Sequence, residues 1–284
     1  MICIARETNP ALLAFLESVY VPSRVDIASG SVDQIRYAIT AIERWHGEPV
    51  RIRQLSEPFI RGFLSSYARE KRPGTVNSKR GHLLALWQCA WEEGYLPQPP
   101  KRTQVRRARA YPAVPEAWTP EEMRRILRAA ESDWWRSILL TAYDTGERRG
   151  ALLATRPAAI DLDRGCIVFV KPKSGRQRWC SLAADTVAAI RRVYDTAADR
   201  VWPYAGSLRR LDGALSGILN RAGVRYGRDS GGVWHKFRRT SGSLVEQAGG
   251  DGAAHLGNTR AVFERHYKDP RFFHSSVGLL PRPF

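Results

Sequence analysis

Acidic residues are scarce in this chain. Against 45 Lys and Arg stand only 28 Asp and Glu, which leaves a net charge of +17 over 284 residues. Such an imbalance excludes an acidic or neutral surface and points to a polyanionic partner. Nucleic acid fits that description better than an anionic membrane surface. Long apolar runs are missing too: none approaches the roughly 20 residues of a membrane span. Met1 to Thr8 lacks the apolar core of a secretory signal. A soluble, cytoplasmic protein with no membrane partner is therefore expected. Cysteine is sparse, with Cys3, Cys89, Cys166 and Cys180 and no C-x-x-C pair, so zinc spacing is absent. The four are read as reduced thiols, as in a reducing cytoplasm. Internal repeats and low-complexity segments are also lacking.

What is present is enough apolar residue for a real core, 43% of the chain, and length enough for two domains. The basic excess is shared. Residues 1–117 carry 17 Lys and Arg against 11 Asp and Glu, and residues 118–284 carry 28 against 17. Both parts are thus suited to touch one polyanion.

The first part reads as helices. Apolar residues recur at helical spacing in Leu12, Leu13, Leu16 and Val19, then in Ile35, Ala38, Ile39, Ile42 and Trp45. Phe59, Ile60, Phe63, Leu64 and Tyr67 form a third run. Leu83, Leu84, Leu86, Trp87 and Trp91 form a fourth, which Gly94 ends. The expectation is a four- or five-helix domain within residues 1–97. Residues 98–117 then read as a linker. Gln98-Pro99-Pro100 opposes helix, and Lys101, Arg102, Arg106, Arg107 and Arg109 come with no acid among them. A strap along a phosphate backbone is expected there.

Residues 118–284 form the second expected domain. Thr119-Pro120-Glu121-Glu122 has the form of a capping box with Pro at the first helical position. A second helix over about 132–144 stops at Gly146. Strands are expected at Ile160-Asp161-Leu162, 166–170 and 178–182. Asp163-Arg164-Gly165 and Ser174-Gly175 would be the turns. A two-residue turn at Ser174-Gly175 would set Cys180 opposite Phe169. Helices are expected again at about 183–195, 207–222, 236–248 and 259–267. The fold class is therefore mainly α with a small antiparallel β-sheet.

Five groups in this second part make a set. Arg148 follows Thr145-Gly146-Glu147, where a planar guanidinium fork could hold two phosphate oxygens. Lys173 stands just before the expected turn, with Lys171 two residues back on the same strand face. His235 and Arg238 lie three apart, on one face of a helix. Tyr267 follows Leu256-Gly257-Asn258-Thr259. Cations to hold a phosphate, a proton donor for the leaving oxygen and a nucleophile are what phosphodiester transfer to a phenol needs.

The order Arg, Lys, His-x-x-Arg, Tyr resembles the tyrosine recombinase (phage integrase) family. So does the spacing from Leu256-Gly257-Asn258-Thr259 to Tyr267, which is similar to the family's Leu-Gly-His-Ser segment and its tyrosine. The resemblance implies a helical, SAM-like core-binding domain followed by an α+β catalytic domain. It implies attack by Tyr267 on a DNA phosphate, giving a 3′-phosphotyrosyl intermediate, with Arg148, Lys173, His235, Arg238 and Asn258 as the other catalytic residues. Lys79, Arg80 and Arg239 join the basic strap as expected DNA contacts. The implied partner is double-stranded DNA with specific recombination sites, bound by a homotetramer that is a monomer when free. No metal or nucleotide cofactor is implied. Three features depart from the family pattern: Ala151 stands where an acid is common, Asn258 where His or Trp is usual, and the segment between Gly249 and Leu256 is shorter than usual. Asn can donate a hydrogen bond but cannot transfer a proton. A DNA-binding relative that does not cut, and a type IB topoisomerase, are the alternatives.

Overall fold

The computed structural model describes residues 7–109, 114–170, 175–226 and 232–273. The chain divides between residues 111 and 112 into two compact units. In the first, α1 (Leu12–Phe15) runs directly into a π-helical turn, Leu16–Tyr20. α2 (Ser29–His46) follows and ends at Gly47, whose positive φ closes the helix. A 3-10 turn (Ile52–Gln54) leads to α3 (Glu57–Tyr67), which Ser56 caps by accepting the Phe59 N–H. α4 (Pro73–Glu92) is the longest helix of this unit, with Pro at its first position. It buries residues all round, among them Val76, Leu83, Leu84, Leu86, Trp87 and Cys89. A helix apolar on every side belongs at the centre, and α2 and α3 both pack on it. Gly94 with φ +75° ends the run as expected.

Residues 98–108 do not run free of this unit. Val105 is fully buried in its core. Trp87 Nε1 donates to the Gln98 carbonyl at 2.9 Å. Asn77 exchanges two hydrogen bonds with Ala108, giving one from Nδ2 and taking the Ala108 N–H on Oδ1. Arg80 donates Nε to Val105 O at 2.5 Å and Nη2 to Arg102 O at 2.8 Å. The basic stretch is thus sewn to α4 by side chains that satisfy its backbone, the groups an irregular segment otherwise leaves open.

The second unit starts with α5 (Pro120–Ala129). Its capping box forms as the sequence suggests, Thr119 Oγ1 taking the Glu122 N–H and Glu122 Oε2 taking the Thr119 N–H. α6 (Asp133–Thr145) is the buried centre of this unit and closes on Gly146, φ +57°. A short helix, α7 (Arg149–Leu153), follows at once. The three-stranded antiparallel sheet has order β1 (Ile160–Asp161), β2 (Cys166–Val170), β3 (Gln177–Ser181). α8 (Ala184–Arg191), α9 (Leu208–Arg221), α10 (Val233–Gln247), α11 (Gly252–Leu256) and α12 (Arg260–His266) complete it. α6 packs against both α8 and α10, and α10 against α11. Trp118, Trp202 and Phe237 fill the largest fully buried positions of its core.

The β2–β3 register corrects one expectation. Val170 pairs with Gln177, so six residues, 171–176, separate the strands, and Cys180 faces Ile167 instead of Phe169. A two-residue turn at Ser174-Gly175 would have required Lys173 to pair with Arg176. Lys173, Lys171, Cys3, Pro112 and the tail beyond Phe273 lie outside the described residues. Cys89, Cys166 and Cys180 are free thiols. Among the described residues no helix is long and apolar enough to cross a membrane.

Candidate active site

Arg238 is the hub. α10 begins at Val233, three residues before its expected start, so His235 and Arg238 both lie inside the helix, one turn apart. Arg238 is only 1% exposed. Its Nη1 donates to Gly146 O at 2.6 Å and its Nη2 to Leu256 O at 2.5 Å. Those two carbonyls are the C-terminal ends of α6 and α11, where helix carbonyls lack partners and where a cation is favoured. Nη2 also reaches Asn258 Oδ1 at 3.3 Å. Burial works against the charge of Arg238, while Glu147 and Tyr267 favour it; the net effect holds it below the usual guanidinium range.

Tyr267 follows α12 directly. Its N–H bonds Phe263 O, and Ser243 Oγ donates to its carbonyl at 3.0 Å. Arg239 Nε donates to the carbonyl of His266, the residue before it. Arg239 was expected on the DNA backbone. It is instead buried and fixes the backbone that carries Tyr267. The Arg238 guanidinium stands 5.1 Å from the centre of the Tyr267 ring, within cation–π range. The His235 ring lies 6.5 Å from the same centre. Tyr267 itself is 8% exposed.

A cleft of about 830 Å³ opens beside this cluster, and Arg148, Arg149, His235 and Arg238 line it. Arg148 is the exposed N-cap of α7. Arg149 does not face the same task, since its Nη1 pairs with Asp212 at 2.5 Å, which also accepts from Trp234 Nε1. The spacing that favours Arg148 over its neighbour therefore agrees with the pairing. Partial burial, then the surrounding Arg239, Arg238, Arg148 and Arg149, push the His235 pKa down. Its imidazole is neutral at pH 7, able to give or take a proton.

Two residues that the sequence did not single out complete the site. Glu147 is buried. It accepts the Arg148 N–H on Oε1 at 2.8 Å and Arg178 Nη2 on Oε2 at 2.5 Å, and it lies 4.0 Å from Arg238 Nη1. Burial opposes its ionisation, but the Arg148 N–H, Arg178 and Arg238 together hold it below the ordinary glutamate range. Arg178, on β3, also donates to the carbonyls of Thr145 and His255. An acid placed directly before Arg148, and an arginine within an expected strand, were the only signals available. His255 shares a 2.7 Å hydrogen bond with Ser241 Oγ and is pushed down to about 4 by burial, Arg178 and Arg238.

Five buried side-chain atoms lack a hydrogen-bond partner among the described residues: Trp118 Nε1, Thr186 Oγ1, Arg239 Nη1 and two on touching side chains at the site. Arg238 Nε and Asn258 Nδ2 are both buried and have no hydrogen-bond partner among the described residues. Buried donors are nearly always paired, so two on neighbouring side chains mark a place for an acceptor.

No protein-family model and no curated protein matches this sequence. Solved structures do match by shape. A lambda integrase tetramer bound to a Holliday junction superposes with a TM-score of 0.72 at 19% identity, over 93% of this chain and 78% of that one. The Tn1549 transposon integrase in complex with transposon right end DNA gives 0.68 at 12% identity, over 95% and 96%. The site-specific recombinase XerH, bound to a palindromic difH substrate, gives 0.65 at 17% identity, over 88% and 80%. This chain has the tyrosine recombinase fold. Within that fold Arg148, His235, Arg238, Asn258 and Tyr267 converge on one place although 119 residues separate the first from the last. On the first unit, Lys101, Arg102, Arg106, Arg107 and Arg109 are exposed. Lys79 is buried with Nζ 5.7 Å from the Tyr37 ring, and the Arg80 guanidinium is committed to backbone carbonyls.

Proposed function

We propose that this chain is a site-specific DNA recombinase or integrase that cuts and rejoins strands through Tyr267. The observation that carries the reading is the pair of unpartnered buried donors, Arg238 Nε and Asn258 Nδ2, on two touching side chains of which Arg238 lies against Tyr267 and lines the cleft with Arg148 and His235. A phosphate there would accept from both donors and from the Arg148 fork. Each well-placed donor stabilises the extra charge of the transition state by roughly 3–4 kcal/mol. The Tyr267 oxygen attacks phosphorus, a P–O bond to tyrosine forms, and the bond to the 5′ oxygen breaks. His235, neutral at pH 7, is suited to take the phenol proton. Lys173 is assigned the proton delivered to the leaving 5′ oxygen. The 5′ hydroxyl of a partner strand then attacks the phosphotyrosine and frees the enzyme.

The partner in this reading is double-stranded DNA, held by both units, with the exposed arginines of residues 101–109 on the phosphate backbone. Rejoining between two sites calls for a tetramer on synapsed DNA. The test uses a nicked suicide duplex drawn from DNA flanking the gene, from which the cleaved strand diffuses away. Wild type is expected to form a denaturation-resistant adduct that maps to Tyr267. Tyr267→Phe should bind the duplex equally well and form none. An adduct persisting in Tyr267→Phe refutes the assignment of the nucleophile. No adduct from wild type on tightly bound DNA refutes the cutting activity and leaves a DNA-binding relative, with Asn258 as the first cause to examine.

A further inference from the structure

We infer that Glu147 and Arg178 form a positioning pair that sets Arg148 and Arg238 for the reaction proposed above, on which this inference rests. Four segments meet at these two side chains. Glu147 Oε1 holds the backbone N–H of Arg148, so the carboxylate fixes the residue whose guanidinium lines the cleft. Glu147 Oε2 holds Arg178 Nη2. Arg178 Nη1 in turn donates to the carbonyls of Thr145, at the end of α6, and His255, in α11. Those same two chain ends supply Gly146 O and Leu256 O, the anchors of Arg238. The Arg178 guanidinium is steadied from its other side by the Phe169 ring, 5.4 Å away.

Charge accounting gives the pair a second effect. Arg238 is a buried guanidinium and Arg178 a partly buried one, and Glu147 is the carboxylate that lies within 4.0 Å of both. One positive charge is left over for an incoming phosphate. Arg178 keeps Glu147 at 2.5 Å and so keeps it from closing on Arg238 Nη1, 4.0 Å from the other carboxylate oxygen. Without Arg178 the carboxylate would pair with Arg238 and cancel the charge that holds the phosphate. Without Glu147 the two cations would repel, and the Arg148 N–H would lose its acceptor. A buried ion pair is by itself weak evidence of a role in stability. This one bridges the elements that bear the site, and a misplacement of about 1 Å at such a site can cost on the order of 10²-fold in rate.

The test measures single-turnover cleavage and DNA affinity separately, on the nicked duplex with which wild type forms its adduct. Glu147→Gln and Arg178→Met are each expected to slow adduct formation about 10²-fold, with duplex affinity changed less than about threefold because many other phosphates are held elsewhere. Glu147→Asp should recover part of the lost rate. The double variant Glu147→Gln/Arg178→Met removes both charges, so it keeps the fold where a single variant unfolds, and it should still cleave slowly. Wild-type cleavage by the folded double variant, or by Glu147→Gln, overturns the inference while the recombinase reading stands. Equal losses in rate and affinity would show a general loss of structure and also overturn it. If wild type forms no adduct, the recombinase reading itself has failed and the inference fails with it.

Discussion

Gly146→Ala is the sharpest perturbation of how the site is built. Gly146 closes α6 in the left-handed region, φ +57° and ψ 24°, and its carbonyl is the 2.6 Å acceptor for Arg238 Nη1. Placing Ala there forces an L side chain into that region, at about 1 kcal/mol. The added carbon would also sit 2.4 Å from Leu256 Cδ2 and 3.2 Å from both Cβ and Oγ of Ser241. Something must move, and overpacking of this kind costs about 1–3 kcal/mol. The sum is about 3 kcal/mol, or about 6–12 °C in the melting temperature of a unit this size. Leu256 is pushed, and its carbonyl is the second anchor of Arg238, so cleavage should fall by more than the folded fraction does. Gly249→Ala is the matched control. Gly249 has φ +89° and nothing within 4 Å of an added carbon, so only the backbone cost of about 1 kcal/mol applies. Calorimetric melts of the three proteins decide the matter. If Gly146→Ala loses no more stability than Gly249→Ala, the packing argument for this turn is wrong.

Two further expectations follow from buried groups. The His255 pKa is pushed down to about 4 in the folded chain from an unfolded value near 6.5, so the unfolded chain takes up the proton first. Stability is then complete above pH 6.5 and declines as pH falls toward 4, by about 2 kcal/mol between pH 7.5 and pH 5. Urea melts should show this decline in wild type and a flatter profile in His255→Gln; equal slopes in the two refute the assignment. Arg80→Met removes the donors to Val105 O and Arg102 O. It should destabilise the first unit by about 2 kcal/mol and let trypsin cut after Lys101 or Arg102. Unchanged cleavage would show that Arg80 does not tether the segment.

The legible parts of this molecule are those in which chemistry and local structure coincide. Thr119 to Glu122 reads as a helix start because its capping bonds are three residues apart. Gly94 and Gly146 read as helix ends because only glycine takes their conformation cheaply. Apolar periodicity located α2, α3 and α4 in the same way. Order and spacing single out Arg148, Lys173, His235, Arg238, Asn258 and Tyr267; the fold brings all but Lys173 close together, and Lys173 lies outside the described residues. Hidden features were those made by contacts distant in sequence. Glu147 and Arg178 are 31 residues apart, and nothing in a strand pattern says that its arginine points at a helix end. The basic stretch reads as a linker along a phosphate backbone because it is charged and rich in Pro. A single apolar residue, Val105, together with Asn77 and Arg80, draws it onto the first unit. The strand register departs from the expectation for a related reason: turn residues alone do not set the pairing, and Val170 pairs with Gln177.

Arg80, Arg239, Arg178 and Arg238 carry a common lesson about reading charge as surface. Each donates to main-chain carbonyls, and four of those acceptors, Thr145, Gly146, Leu256 and His266, lie at helix ends. Helix C-termini leave carbonyls without donors and carry partial negative charge, so a basic chain can use part of its excess to join helices. A guanidinium has five donors in a fixed fork. It can meet two carbonyls and keep an N–H for something else, which an ammonium on a flexible stem does less well. Arg238 does this: two nitrogens hold α6 and α11 together, and Nε is left facing no acceptor. The contact that completes the fold therefore also aims the group that would meet a phosphate. That is why position 238 should reject lysine even though lysine keeps the charge. The exposed Arg148, whose side chain makes no capping bond to its helix, should keep its fold with lysine and lose only the two-pronged hold on a phosphate.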